Sequence, residues 1–228
     1  MVVTAYASVP DVRDVITPDL KCGGDVFADA APGGVLVHVA ICGAEAHRLG
    51  GSTLAQVYSQ LGVTVPDLDA AALAALAAAF ETTQALIGAH AVSSGHDVSD
   101  GGLATTLLEM AFAGNCGIKV ALPAAAAGDA HGALNVLFAE EPGLVLEFAT
   151  DVLADEALAK YAAASVHAYK IGTSVPRGAA GAAAPRVTIT VGDAVAIDDE
   201  MAVLRDVWES TSFALEMRQA SLPTLYDR

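Results

Sequence analysis

Apolar residues along this chain change period repeatedly, and the changes mark out interleaved strands and helices. Val35 to Ile41 reads VLVHVAI, β-branched and almost continuously apolar, as a strand covered on both faces requires. Val2 to Ala7 alternates loosely and predicts an earlier strand, followed by a connection bracketed by Pro10 and Pro18. After Ser52, the residues Leu54, Val57, Tyr58 and Leu61 share one side of a helical run. Pro66 to Ile87 predicts a long helix whose larger residues, Leu73, Leu76, Phe80, Thr83 and Ile87, fall near one face at spacings of three, four and seven. Its alanine tract is low in complexity, yet alanine has the best helix propensity, so the segment reads as structured.

The second half keeps the alternation. Gly117 to Leu122 is a predicted strand ended by Pro123, and a connector at Ala124 to Asp129 leads to a short helix through Leu134, Leu137 and Phe138. Glu140-Glu141-Pro142-Gly143 turns into a strand from Leu144 to Phe148, then Asp151 to Ser165 predicts a helix and His167 to Thr173 a strand. The loop Val175 to Pro185 precedes two strands, Val187 to Val191 and Ala194 to Ile197, joined by Gly192 and Asp193 as a hairpin prefers. A last helix spans about Asp199 to Ala220 and is expected to bury Val203, Leu204, Val207, Trp208 and Leu215. No linker or repeat divides the sequence. The expectation is one α/β domain over residues 1–228, a mixed sheet flanked by helices.

Within this pattern the polar turn SGHDVSDGG, at Ser94 to Gly102, stands out because it runs directly into an amphipathic helix carrying Leu103, Leu107, Leu108, Met110, Ala111 and Phe112. Gly114 and Asn115 stop that helix, and Asp100 is its expected N-cap. Gly101 and Gly102 leave first-turn amides open to an anion such as a phosphate. Asp97 and Asp100 place negative charge in the same region, so a phosphate there calls for a cation, with magnesium and a nucleotide the economical pair. Asp97 is the better metal candidate, because the cap engages Asp100, and Ser99 is placed to donate to a phosphate oxygen. His96 either donates as well or fixes the turn. A purely structural turn explains the same residues about equally well. Two neighbouring features stay open. HRLGGST, at His47 to Thr53, is either a phosphate contact through Arg48 or an ordinary turn with a Ser52 cap. Glu140 and Glu141 either add carboxylates to a cation site or are exposed. Glu109 reads as a packing or surface residue, and His38 as a satisfied core or cross-strand residue.

Composition narrows the function classes. With 27 acidic and 11 basic residues the net charge is −16, which argues against nucleic-acid or anionic-membrane partners. Hydrophobic residues make up 54%, much of it alanine, and no run of about eighteen apolar residues is free of polar ones, so a membrane span is not expected. The N-terminus lacks the basic start and apolar core of a signal peptide. A cytoplasmic location is expected, with an organelle left open. Cys22, Cys42 and Cys116 are odd in number and lack ligand spacing, hence free thiols. No phosphate-loop, kinase or nucleophile-elbow signature is present.

GHDVSDGGLATTLLEMAFAGNCG, together with TPDL at Thr17, RLGGSTLAQVYSQLG at Arg48, LFAEEPGLVLE at Leu137 and VWESTSF at Val207, resembles formylglycinamide ribonucleotide amidotransferase, the phosphoribosylformylglycinamidine synthase family of the large single-chain type. The resemblance covers nearly the whole chain in matching order. It implies the C-terminal half-domain of the second of two modules shared with aminoimidazole ribonucleotide synthetase, since the first module typically carries HDVGAGG. Implied with it are a place in an ATP- and glutamine-dependent ligase of purine biosynthesis and an auxiliary site for magnesium-bound ADP. By the same resemblance, Asp97 corresponds to a magnesium ligand and Ser99 to a nucleotide contact. The implied partners are the preceding N-terminal-type half-domain, the first module and a glutaminase domain, without which the fragment is expected to be inactive. A stand-alone nucleotide-binding or structural module is the alternative, and a small-molecule kinase relative fits the long match less well.

Overall fold

Strands rich in valine, isoleucine and leucine need cover on both faces, and two helical layers supply it. The computed structural model describes residues 4–9, 11–24, 33–43, 46–124, 132–178 and 183–219. Its strands are β1 (Val35–Ala40), β2 (Ser94–Asp97), β3 (Gly117–Leu122), β4 (Gly143–Phe148), β5 (His167–Val175), β6 (Arg186–Val191) and β7 (Ala194–Glu200). Its helices are α1 (Thr53–Val57), α2 (Ala70–Gly88), α3 (Gly102–Gly114), α4 (Gly132–Phe138), α5 (Asp151–Ala163) and α6 (Met201–Gln219). All the strands join one sheet in the order β2-β4-β1-β5-β3-β6-β7. The β3–β6 pair is parallel and the other pairs are antiparallel, so the α/β class and the mixed sheet are as expected.

Alternation along the central strands assigns each face its helices. Leu36 of β1 and Val145 of β4 point into a core with Leu103, Leu107 and Met110 of α3 and Val136 and Leu137 of α4. Val35, Val37 and Val39 face the other way, onto Ala79 and Leu86 of α2 and Ala154, Ala157 and Tyr161 of α5. There Thr83 donates to the Ala79 carbonyl at 2.6 Å and so accepts from the Tyr161 hydroxyl at 2.7 Å, which satisfies both buried groups. His38, half-buried inside β1, is a cross-strand residue: its Nδ1 lies 3.0 Å from the hydroxyl of Tyr169 opposite it on β5, the rings meet edge to face, and burial lowers its pKa to about 4. Cys22 and Cys116 are buried free thiols, and Cys42 is partly exposed.

Four expectations are corrected. Residues 4–9 are not in a strand; residues 2–3 lie outside the described residues. The predicted stripe on α2 holds only in part: Thr83 is buried and Ile87 packs against the core, but Leu73, Leu76 and Phe80 are exposed, and Ala72, Ala79 and Leu86 are buried in their place. Small residues let α2 lie close against α5, so close packing overrides side-chain size. That helix has a mean hydropathy of 1.5 over a span's length, yet the face just described packs inside the fold. In α6 only Met201 is buried, with Leu204 partly packed, Trp208 tilted against Phe112 at 5.8 Å, and Val203, Val207 and Leu215 exposed. The helix after Ser52 stops at Val57 with none of its residues buried. Residues 25–32, most of the predicted connector at Ala124 to Asp129, residues 179–182 of the predicted loop Val175 to Pro185 and the chain end from 220 lie outside the described residues.

One buried group carried no signal in the sequence pattern. Glu147 of β4 is fully buried and takes the amides of Lys21 at 2.7 Å and Cys22 at 3.0 Å and the Ser174 hydroxyl at 2.6 Å. Together with the Ser94 hydroxyl, which donates to the Pro18 carbonyl at 2.9 Å, it fastens the TPDLKC segment beside β2.

Candidate functional site

β2 is an edge strand, and at its end residues 98–101 turn the chain into α3. Val98 donates to the Gly143 carbonyl at 2.9 Å, which keeps the turn on β4. Gly101 and Gly102 both have positive φ, at 82° and 67°. A Cβ on Gly101 would strike the Thr105 side chain, and one on Gly102 would sit 2.8 Å from the backbone of Phe138 and Ala139, so both positions require glycine on conformation and on space. This pair displaces the expected cap. Gly101, not Asp100, is the N-cap of α3, no side chain caps it, and Asp100 is exposed. Thr106 instead donates within the turn, 3.1 Å from the Asp97 and Gly102 carbonyls.

The turn directs Asp97 and Ser99 into solvent, and the Asp97 side chain is 70% exposed. His96 is drawn the other way. Its Nδ1 lies 2.7 Å from the Asp97 carbonyl and 3.2 Å from the Asp97 carboxylate, and its Nε2 lies 3.1 Å from a Glu109 oxygen. Glu109, expected to be packing or surface, therefore holds the histidine that backs Asp97. A signal was available: Glu109 is seven residues, about two helical turns, beyond Gly102, and so shares a face of α3 with the helix start.

The first-turn amides that sequence offered to a phosphate are already engaged. Gly101 N–H donates to Glu140 Oε1 at 2.9 Å, and Gly102 N–H to the Ser99 carbonyl at 2.9 Å. The same Glu140 oxygen accepts Thr53 N–H at 2.8 Å, at the start of α1. Arg48 is likewise committed, through Nε at 2.6 Å and Nη2 at 2.7 Å, to the two oxygens of Glu141, which also takes the Arg48 amide. Burial pushes the Glu141 carboxyl up, but the Arg48 contacts outweigh it and hold it below the usual range. Ser52 caps α1 through the Ala55 amide at 3.2 Å. HRLGGST is a turn capped by Ser52, with Arg48 held by Glu141, and Glu140 and Glu141 serve as internal anchors.

Among the described residues no group of three or more His, Cys, Asp or Glu side chains is arranged to hold a metal ion. Asp97 and Asp100 each present an exposed carboxylate at the turn, and Asp100, not engaged as a cap, is as available to magnesium as Asp97. Mg²⁺ keeps several waters and takes one or two carboxylates together with substrate phosphates, so the arrangement fits one side of such a site.

Residues 31–183 match the family model described as AIR synthase related protein, C-terminal domain. The chain belongs to this family. As an AIR synthase related chain it is 45% identical over 222 residues to human phosphoribosylformylglycinamidine synthase, covering 96% of this chain and 15% of that one. It is 42% identical over 219 residues to the probable chloroplastic/mitochondrial phosphoribosylformylglycinamidine synthase of Arabidopsis thaliana, covering 96% and 14%. The AIR synthase related chain thus spans about one-seventh of the length of these relatives. Its fold is similar to that of T. maritima PurL complexed with FGAR, with TM-score 0.59 and 15% identity over 85% of this chain and 30% of that one. T. maritima PurL complexed with ATP gives TM-score 0.57 at 14% identity, over 85% and 27%.

Proposed function

We propose that this chain is one domain of a phosphoribosylformylglycinamidine synthase, the ligase that uses ATP and glutamine to convert formylglycinamide ribonucleotide to formylglycinamidine ribonucleotide. In this reading residues 1–228 act as one unit and contribute one wall of an auxiliary magnesium-ADP site. Asp97 supplies a carboxylate oxygen to the metal, and Ser99 supplies its hydroxyl to the nucleotide. The observation that carries the reading is the 45% identity to the human synthase across 96% of the chain. The exposed Asp97 and Ser99, held on a turn whose amides are used internally, support the assignment of roles.

When bound, magnesium would neutralise the phosphate charge that Asp97 otherwise repels. The chain's own part is narrower: it holds an oxygen at Asp97 and a hydroxyl at Ser99 in fixed relation. The opposite wall belongs to the preceding half-domain of the longer polypeptide, and ammonia comes from a glutaminase domain there. The enzyme is placed in the cytoplasm or an organelle.

The test uses the full-length gene product. With formylglycinamide ribonucleotide, glutamine and ATP it is expected to form the amidine, glutamate, ADP and phosphate, and to retain magnesium-dependent ADP that Asp97→Ala releases. Absence of amidine formation in folded full-length protein would overturn the ligase reading.

A further inference from the structure

Glu140 sits where the sequence pattern put a phosphate, at the first turn of α3, and one of its oxygens is shared between two separate segments. Oε1 accepts Gly101 N–H at 2.9 Å and Thr53 N–H at 2.8 Å. The two donors are 48 positions apart and open different helices, α3 and α1. Support for the turn comes from the same place in the chain, because the backbone of Phe138 and Ala139 lies directly against Gly102, at 2.8 Å from where a Cβ would stand. Beside it, Glu141 clamps Arg48 by a two-pronged ion pair and takes the Arg48 amide. The 48–53 segment is therefore fastened at both ends to Glu140-Glu141, and Glu140 passes that anchorage to Gly101.

We propose that Glu140 is a positioning residue for the nucleotide wall: by bridging Thr53 N–H and Gly101 N–H it fixes the turn that presents Asp97 and Ser99, and it couples that turn to the 48–53 segment. The inference rests on the magnesium-nucleotide reading of Asp97 and Ser99. A carboxylate suits the task for two reasons. A single sp² oxygen accepts two amide donors at once, and negative charge is favoured at the amino end of α3. Glutamine retains the first property, and alanine retains neither. Thr53 offers an independent handle, since it is the first residue of α1, where proline is well accommodated, and the preceding Ser52 is extended at ψ 158°. Thr53→Pro thus deletes one donor of the bridge with the helix preserved.

The experiment measures Mg-ADP affinity of the full-length gene product by calorimetry. Supporting residues around metal sites typically alter affinity by about 10–100-fold, so Glu140→Ala is expected to weaken binding about tenfold, and Glu140→Gln to restore it to within about threefold. Thr53→Pro is expected to weaken binding about threefold, and the Thr53→Pro/Glu140→Ala double variant to bind no worse than Glu140→Ala alone, as members of one bridge should. Rescue by glutamine and this non-additivity are outcomes that a general loss of packing does not produce. Loss of affinity in Asp97→Ala with wild-type affinity in Glu140→Ala would overturn the positioning role and leave the site reading standing. Unchanged affinity in both would overturn both. If Glu140→Ala does not fold, Thr53→Pro decides, and wild-type affinity in that variant overturns the proposal.

Discussion

Single residues carry most of what this domain offers to a ligand, and the structure separates those that face outward from those that hold them. Asp97 and Ser99 project; His96, Glu109, Thr106 and Glu140 work behind them. Glu147 is the buried counterpart, a carboxylate that ties residues 21 and 22 to the sheet. Truncating it leaves two buried amides without an acceptor, so Glu147→Ala is expected to lose about 1–3 kcal/mol in urea unfolding. Burial raises the Glu147 pKa above its ordinary 4.5. The folded state then holds that proton more tightly than the unfolded chain, and the group's contribution is full below pH 4.5 and falls as pH rises through the raised value. Unfolding measured across this range should therefore show wild type losing stability relative to Glu147→Gln as pH increases. A pH-independent difference between the two would refute the shift. None of this was legible beforehand, because a glutamate in an apolar strand carries no sequence sign of three donors arriving from residues 21, 22 and 174.

At the scale of elements, periodicity located the strands and helices well and judged their buried faces less well. Continuous β-branched runs such as β1 have one physical solution, burial on both sides, and that is what the fold adopts. Alanine-rich α2 has several, because any face can pack and the smallest approaches closest; the apolar size stripe of Leu73, Leu76 and Phe80 therefore pointed to the wrong side. The consequence is measurable by thermal melting. Ala79→Leu, which overfills a site 1% exposed, is expected to cost about 1–3 kcal/mol, whereas Phe80→Ala, at 63% exposure, stays within about 0.5 kcal/mol. The diglycine turn was read correctly as a turn and wrongly as one capped by Asp100, since sequence shows that glycine permits positive φ but not that both glycines adopt it. Gly102→Ala should lose at least about 1–3 kcal/mol by the same assay, from positive φ and from contact with the Phe138 and Ala139 backbone. Asp100→Ala should change stability little.

For the whole molecule, the site is one-sided. Among the described residues the carboxylates of Asp97 and Asp100 and the hydroxyl-bearing Ser99 are exposed at the β2–α3 turn, with no group of three His, Cys, Asp or Glu side chains arranged to hold a metal ion. The chain covers only 15% of the length of its human relative, which agrees with a wall whose complement lies elsewhere in a longer polypeptide. Long, ordered stretches such as HDVSDGG and LFAEEPG made the family legible from sequence, while the internal use of Arg48, Glu140 and Glu141 was hidden, because it depends on which loops the sheet order brings together. The central claim is that Asp97 and Ser99 form half of a magnesium-nucleotide site. Titration of ADP by calorimetry, with and without Mg²⁺, into this chain and into the full-length gene product tests it most directly. The account predicts no measurable binding to the chain alone, and tight magnesium-dependent binding to the full-length protein that Asp97→Ala abolishes. Tight binding to the chain alone that survives Asp97→Ala would contradict it.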